Sequence, residues 1–182
     1  TISGQTFFDA PGAAAELKGH GLPACFLDFE TVQFTIPVWK DTRPYQQLPF
    51  QFSLHKLGAD GKLVHAEFLD LTGVDPCEAF AKSLIEKCDG RGPVFVYNAQ
   101  FEEGRINELA ARFPKLSGPL SAIAARIVDV LPVARRYYYH PGQHGSWSIK
   151  AVLPSMVPEL DYGALTGIKD GTMASAGFLE AP

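Results

Sequence analysis

Apolar positions fall into runs with two periods, and the order of those periods outlines an α/β chain. Cys25-Phe26-Leu27-Asp28-Phe29-Glu30-Thr31, preceded by Gly21 and Pro23, reads as a buried strand. Side chains two apart on a strand share a face, so Asp28 and Glu30 lie together with Phe26, while Leu27 and Phe29 fill the other side. Phe50, Phe52 and Leu54 then alternate with Gln51, Ser53 and His55. Gly58-Ala59-Asp60-Gly61 supplies a turn, and Val64, Ala66 and Phe68 alternate with His65 and Glu67, which predicts an antiparallel hairpin.

The period then changes. Cys77, Phe80, Leu84 and Cys88 recur at helical spacing, with Asp75 as the expected cap, Pro76 in the first position, Glu78 placed to close a capping box and Asp89-Gly90 ending the helix. Pro93-Val94-Phe95-Val96-Tyr97 is a short continuous apolar run that suits a strand covered on both faces. Phe101, Ile106, Leu109 and Phe113 mark a second helix that Pro114 ends, so Asn98 sits at a strand-to-helix junction. Ile127-Val128-Asp129-Val130-Leu131 predicts a last short strand, followed by a helix around Pro132 to Arg136. Residues 1–21 form a lead-in, with a short helix at Ala13 to Leu17 that Gly4, Gly12, Gly19 and Gly21 break up. Between Val32 and Pro44, Pro37 and Asp41-Thr42-Arg43-Pro44 predict a loop over the acidic strand. Its Phe34 and Trp39 either pack on the core or stack a base or sugar.

A chain of 182 residues accommodates one domain with a sizeable core, here residues 22–182. With 46% hydrophobic residues general disorder is excluded, and the absence of a membrane-length apolar run or a leader sequence points to a soluble protein. Three cysteines without a CxxC pair fit a reducing cytoplasm. A net charge of −4 gives no global signal for nucleic acid, so any such contact is local. The chain opens on Thr1 rather than Met, which raises the expectation of a fragment of something longer.

Candidate chemistry centres on the acids. Two carboxylates emerging together from an apolar strand repel each other and are costly to desolvate unless a cation lies between them, and hard ions such as Mg²⁺ take all-oxygen sites. The plain alternative is an edge strand whose acids face water. Glu102 falls in a first helical turn, where the helix dipole favours an acid regardless of function. Asp129 can flank a site or cap the following helix. Arg135-Arg136-Tyr137-Tyr138-Tyr139-His140 interleaves cations with aromatics, which suits a single strand of nucleic acid or a basic helix end. His140 and His144 are separated by Pro141-Gly142 and form no helical zinc pair, and His55 and His65 read as solvated strand positions. Ser148 is placed to cap a helix, with Lys150 either near a phosphate or on the surface.

A strand with Asp28-x-Glu30, a hairpin, a helix, and a strand ending in Asn98-Ala99-x-Phe101 followed by an acid resembles the DnaQ-like 3′→5′ exonucleases of the ribonuclease H-like fold. More narrowly, residues 22 to 180 resemble the DUF2779 family, whose domain is similar to those exonucleases. The resemblance implies a mixed five-stranded sheet flanked by helices. It also implies a two-ion Mg²⁺ or Mn²⁺ site for phosphodiester hydrolysis at a single-stranded 3′ end. Asp28, Glu30 and Glu102 would be the metal ligands, Asp129 would flank them, and Asn98, Phe101, Arg135, Arg136, Tyr137 and Lys150 would meet nucleic acid. Glu102 stands where the exonuclease pattern has Asp.

The third exonuclease motif places its acid after a Tyr at four residues or a His at five. Asp161 is preceded there by Val157 and Met156, and Asp170 by Thr166 and Leu165, so neither fits. In the DUF2779 pattern the stretch around Leu165 to Gly171 precedes a helix bearing the last Asp, which leads to the expectation that the chain stops short of its fourth ligand and that further domains accompany it. The alternatives are a binding module of the same fold without catalysis, for nucleic acid or a protein partner, and a metal-dependent phosphatase that shares the acidic cluster.

Overall fold

The computed structural model describes residues 4–160 and 171–180. The chain enters through strand β1 (Phe7–Phe8) and helix α1 (Ala10–Lys18), longer than the predicted turn because Asp9 accepts a hydrogen bond from Gly12 N at 2.9 Å. Gly12 does not break this helix. A Cβ there would lie 2.5 Å from Tyr137 Cε1, so glycine permits the close approach of a later element. The lead-in is joined to the body of the fold: Phe7 and Phe8 pair antiparallel with Tyr139 and Tyr138.

The main sheet begins with β2 (Ala24–Val32), β3 (Leu48–Leu57) and β4 (Leu63–Leu69), an antiparallel meander in which Asp28 faces Ser53 and Phe26 faces His55. Helix α2 (Cys77–Lys87) leads to β5 (Val94–Val96), parallel to β2 on its other side. Helix α3 (Ala99–Arg112) and α4 (Ser117–Ala124) lead to β6 (Ile127–Asp129), parallel to β5. The strand order β4-β3-β2-β5-β6 makes a mixed five-stranded sheet flanked by helices, the architecture that the resemblance implies. After it come α5 (Leu131–Tyr137), β7 (Tyr138–Tyr139), α6 (Ile149–Met156) and α7 (Gly171–Glu180).

The core lies on the Leu27 and Phe29 side of β2. Phe52 and Leu54 from β3, Phe80 and Leu84 from α2, Ile106 from α3 and Leu120 from α4 are all sealed from solvent there. Phe80 is its centre, edge-on to Phe29, Phe52 and Phe68 at 5.0, 5.4 and 5.7 Å between centroids. The α4 helix is absent from the sequence reading, although Leu116, Leu120 and Ile123 carry its period. Pro114 ends α3 as predicted, and a single 3₁₀ turn restarts the chain.

Two caps differ from expectation. Asp75 accepts from Cys77 N at 3.0 Å and binds Arg112 with its second oxygen, while Glu78 turns to Lys82 at 2.7 Å instead of closing a capping box. Ser148 precedes α6, but its side chain makes no cap and its hydroxyl meets that of Ser146 at 3.3 Å. The predicted cysteine stripe is buried, and the Cys88 thiol also meets Cys25 and Arg126. Phe34 and Trp39 take the packing alternative: they meet edge-on at 5.2 Å, and Trp39 reaches Phe178 of α7.

Replacing Phe80 with Ala should lower the unfolding free energy by about 3–5 kcal/mol, the usual result of emptying a sealed aromatic site. Urea denaturation should show the midpoint falling at an unchanged slope, and a loss under about 1 kcal/mol would remove Phe80 from the centre of the core.

Candidate acidic site at the open face of the sheet

The C-terminal ends of the three parallel strands, where open α/β sheets tend to hold ligands, converge on one place. Strand β2 brings Asp28 and Glu30 there, β5 runs out into Tyr97 and Asn98, and β6 ends on Asp129. Asn98 adopts a left-handed conformation, φ 75°, which turns the chain sharply into α3 and sets Glu102 in its first turn. Asp129 holds this junction: its Oδ1 accepts from Asn98 N and from Leu131 N, each at 2.9 Å. Its carboxylate therefore fixes the β5–α3 turn and caps α5, the structural alternative, while also lying close enough to Glu102 to repel its charge.

A cavity of about 870 Å³ opens on the Asp28 side of the sheet. Asp28 and Glu30 line it with Tyr97, Lys150, Phe26 and Phe95, and α7 closes one wall with Ala174, Gly177 and Phe178. Phe26 and Phe95 are partners in the parallel register and stack at 5.4 Å, with His20 edge-on to Phe95 at 5.8 Å. Glu30 reaches the start of α7, where a Cβ at Gly171 would lie 2.8 Å from its Oε2, so any larger residue there would make the Glu30 carboxylate shift. A carboxylate beside a helix N-terminus is electrostatically favoured.

Glu102 is not in the cavity wall. It is 3% exposed, and its Oε2 has no hydrogen-bond partner among the described residues. Its pKa is pushed up to about 8, chiefly by burial, which the hydrogen bond from its own backbone N–H partly opposes, with lesser upward pushes from the charges of Asp28 and then Asp129. Asp28 stays accessible, yet its apolar surroundings raise its pKa, with the Phe29 backbone and then Lys150 pulling the other way. Both carboxylates resist ionisation, and one oxygen of Glu102 is left without a hydrogen-bond partner among the described residues, so these are the groups whose burial a hard cation would relieve. No group of three or more His, Cys, Asp or Glu close enough to hold a metal ion is present among the described residues.

Residues 25–148 match a protein-family model described as a domain of unknown function, DUF2779. The chain belongs to that family. No curated protein and no solved structure matches it. The stretch matched in this DUF2779 chain runs from β2 to the residue before α6, so it includes Asp28, Glu30, Glu102 and Asp129 and stops short of Lys150 and α7.

The DUF2779 fold gathers only part of the nucleic-acid set suggested by its sequence. Lys150 lines the cavity, and Arg135 lies near enough to Tyr97 to influence its hydroxyl. Arg136 instead pairs with Glu16 of α1 at 2.7 Å, and Tyr137 packs over Gly12 of the same helix. Phe101 is half-buried beside the core beneath Arg105, 5.6 Å from its ring, and Asn98 is exposed at its turn. His55 and His65 stack at 4.5 Å with Ser53 Oγ 3.2 Å from His65 Nε2, and His140 Nδ1 accepts from Gly142 N. Asp161 and Asp170 lie outside the described residues. The α7 helix borders the acidic strand but carries no Asp. No helix among the described residues is long and apolar enough to cross a membrane.

Sequence reasoning missed Phe95, Tyr97 and α7 as parts of the cavity. Phe95 joins Phe26 only through the β2–β5 pairing, and Tyr97 is fixed by donating its hydroxyl to Trp147 O at 2.8 Å, fifty residues away.

The Glu102 shift has a sign that can be checked. The folded chain holds this proton up to about pH 8 and the unfolded chain only to near its ordinary value of 4.5. Stability from Glu102 is thus complete below the lower value and lost as pH rises through the upper one, at up to about 1.4 kcal/mol per pH unit. Glu102→Gln should remove that slope, so that urea denaturation finds the variant gaining on the native chain from about pH 5 to pH 9. A constant difference over that range would show that Glu102 ionises normally.

Proposed function

We propose that this domain hydrolyses phosphodiester bonds at the 3′ end of a single-stranded nucleic acid with the help of Mg²⁺ or Mn²⁺. The observation that carries the reading is that Asp28 of β2 and the orphaned, hard-to-ionise Glu102 in the first turn of α3 lie near enough for the Asp28 charge to raise the Glu102 pKa. Asp28 and Glu102 would hold the cation, and Glu30 would contribute by way of the same strand face. Bound there, the cation would supply Lewis-acid activation of water and charge stabilisation of the leaving oxygen.

The chain's own groups account for the rest of the reading. Stacked Phe26 and Phe95 offer an aromatic surface for a base on the face that bears the acids. Lys150 supplies positive charge beside Asp28, suited to a phosphate oxygen, and Tyr97 presents a hydroxyl in the wall. The likeness of the Asp28-x-Glu30 and Asn98-to-Glu102 segments to the exonuclease motifs supports the same assignment.

A second reading, a nucleic-acid-binding module without catalysis, is favoured by a separate observation. The described residues hold no cluster of three acids or other metal ligands, and Glu102 sits behind the cavity rather than in its wall.

A 5′-labelled single-stranded oligonucleotide incubated with Mn²⁺ or Mg²⁺ separates the two. The expected result is a ladder shortened from the 3′ end that chelator abolishes and that Asp28→Asn slows by more than about 100-fold, beyond what loss of a ligand's supporting partner does. An intact oligonucleotide that is nevertheless bound would establish the binding module. Neither cleavage nor binding would overturn both.

A further inference from the structure

Strand β4 lies at the edge of the five-stranded sheet, with β3 on one side and no strand on the other among the described residues. Its backbone register fixes which groups face outward. Asp70 N donates to Phe50 O at 3.1 Å, and Lys62 O accepts from Gly58 N at 2.9 Å at the other end of the same pairing. Hydrogen-bonded pairs alternate along an antiparallel ladder, so the even-numbered residues of β4 bond to β3. Leu63, His65, Glu67 and Leu69 therefore direct their N–H and C=O groups out from the sheet.

Exposed edges of this kind are templates for further strands, and proteins usually blunt them with lysine, proline or bulges. Within its seven residues β4 has none of these, and Leu63, Val64 and Leu69 are 58%, 49% and 56% exposed. The order of its side chains adds a second observation. Leu63-Val64-His65-Ala66-Glu67-Phe68-Leu69 is self-complementary when reversed about Ala66. An antiparallel copy in that register sets Leu63 against Leu69, Val64 against Phe68, His65 against Glu67 and Ala66 against itself. The outward-facing residues are those that pair as hydrogen-bonded partners, and the polar pair sets a histidine beside a carboxylate.

We propose that this domain forms a two-fold symmetric dimer through β4, with the axis passing beside Ala66 and the two sheets continuing into one. The interface is isologous and therefore closes at two copies. Because the axis is perpendicular to the joined sheet, both Asp28 faces open on the same side. Leu69, which lines the cavity, is covered by Leu63 of the second copy. The proposal stands apart from the chemistry assigned to the acids and survives its failure.

A seven-residue strand pair is near the small end of stable interfaces, so dimerisation should depend on concentration. Sedimentation velocity of the full chain should show monomer giving way to dimer between about 1 and 100 μM. Glu67→Pro removes an outward N–H while sparing the ladder to β3, and should weaken association at least about tenfold. Ala66→Cys places two thiols across the axis at a close, non-hydrogen-bonded pair, whose Cα spacing of about 4.5 Å suits a disulfide. It should form a covalent dimer with glutathione disulfide. Val64→Cys should not, since its two copies would lie about 13 Å apart along the strands.

A chain that stays monomeric throughout, a series of ever larger oligomers, or cross-linking through Val64→Cys as readily as through Ala66→Cys would each overturn the proposal. The cysteine pair keeps it testable if Glu67→Pro fails to fold.

Discussion

The position of β2 between an antiparallel and a parallel neighbour constrains everything near the site. Hydrogen-bonded on both edges, the strand cannot rotate, so its side chains are divided strictly between two faces. Leu27 and Phe29 are held against Phe80 and the helices, and Asp28 is held in the opposite cavity. The cavity acids are thus mounted on the back of the most tightly packed part of the molecule. Their placement is as rigid as the core that supports it.

Electrostatic tension is concentrated at the ends of the parallel strands. Asp28, Glu102 and Asp129 arrive there on three separate elements: Asp129 accepts from Asn98 N and Leu131 N, while Glu102 keeps its Oε2 without a hydrogen-bond partner among the described residues. Glu102 pays for its burial by holding its proton far above the ordinary carboxylate range. A group so placed is destabilising when ionised unless positive charge arrives from outside the chain, and such perturbed acids cluster at functional sites more often than elsewhere. Among the described residues the lining mixes the aromatic pair Phe26 and Phe95 with the charged side chains of Asp28, Glu30 and Lys150. The edge strand at the far side of the sheet is chemically distinct from this site, yet Leu69 belongs to both.

Some of this was legible from residue order. Alternation around Phe52 and Leu54, the α2 stripe and the shared face of Asp28 and Glu30 depend on local geometry, and periods of two and of three to four residues survive in any context. The Arg135 to Tyr137 run shows the limit of that reading. Its composition suits nucleic acid, but α1 folds back to give Arg136 a carboxylate and Tyr137 a glycine to rest on, contacts made across more than a hundred residues. The capping box failed for a similar reason, since Asp75 found Arg112 and Glu78 found Lys82.

By itself the sequence determined the α/β class, the strand faces, the hairpin, the main helices and the pair of acids on β2, because each follows from neighbours a few residues apart. Only the tertiary structure decided that Phe95 stacks on Phe26, that Glu30 reaches α7 while Glu102 is buried behind the cavity, and that β4 is the edge strand of the sheet among the described residues. Those outcomes depend on which strands become neighbours and on how far each side chain is removed from water. Both are set by packing between segments far apart in the chain, and residue order alone carries no record of that distance.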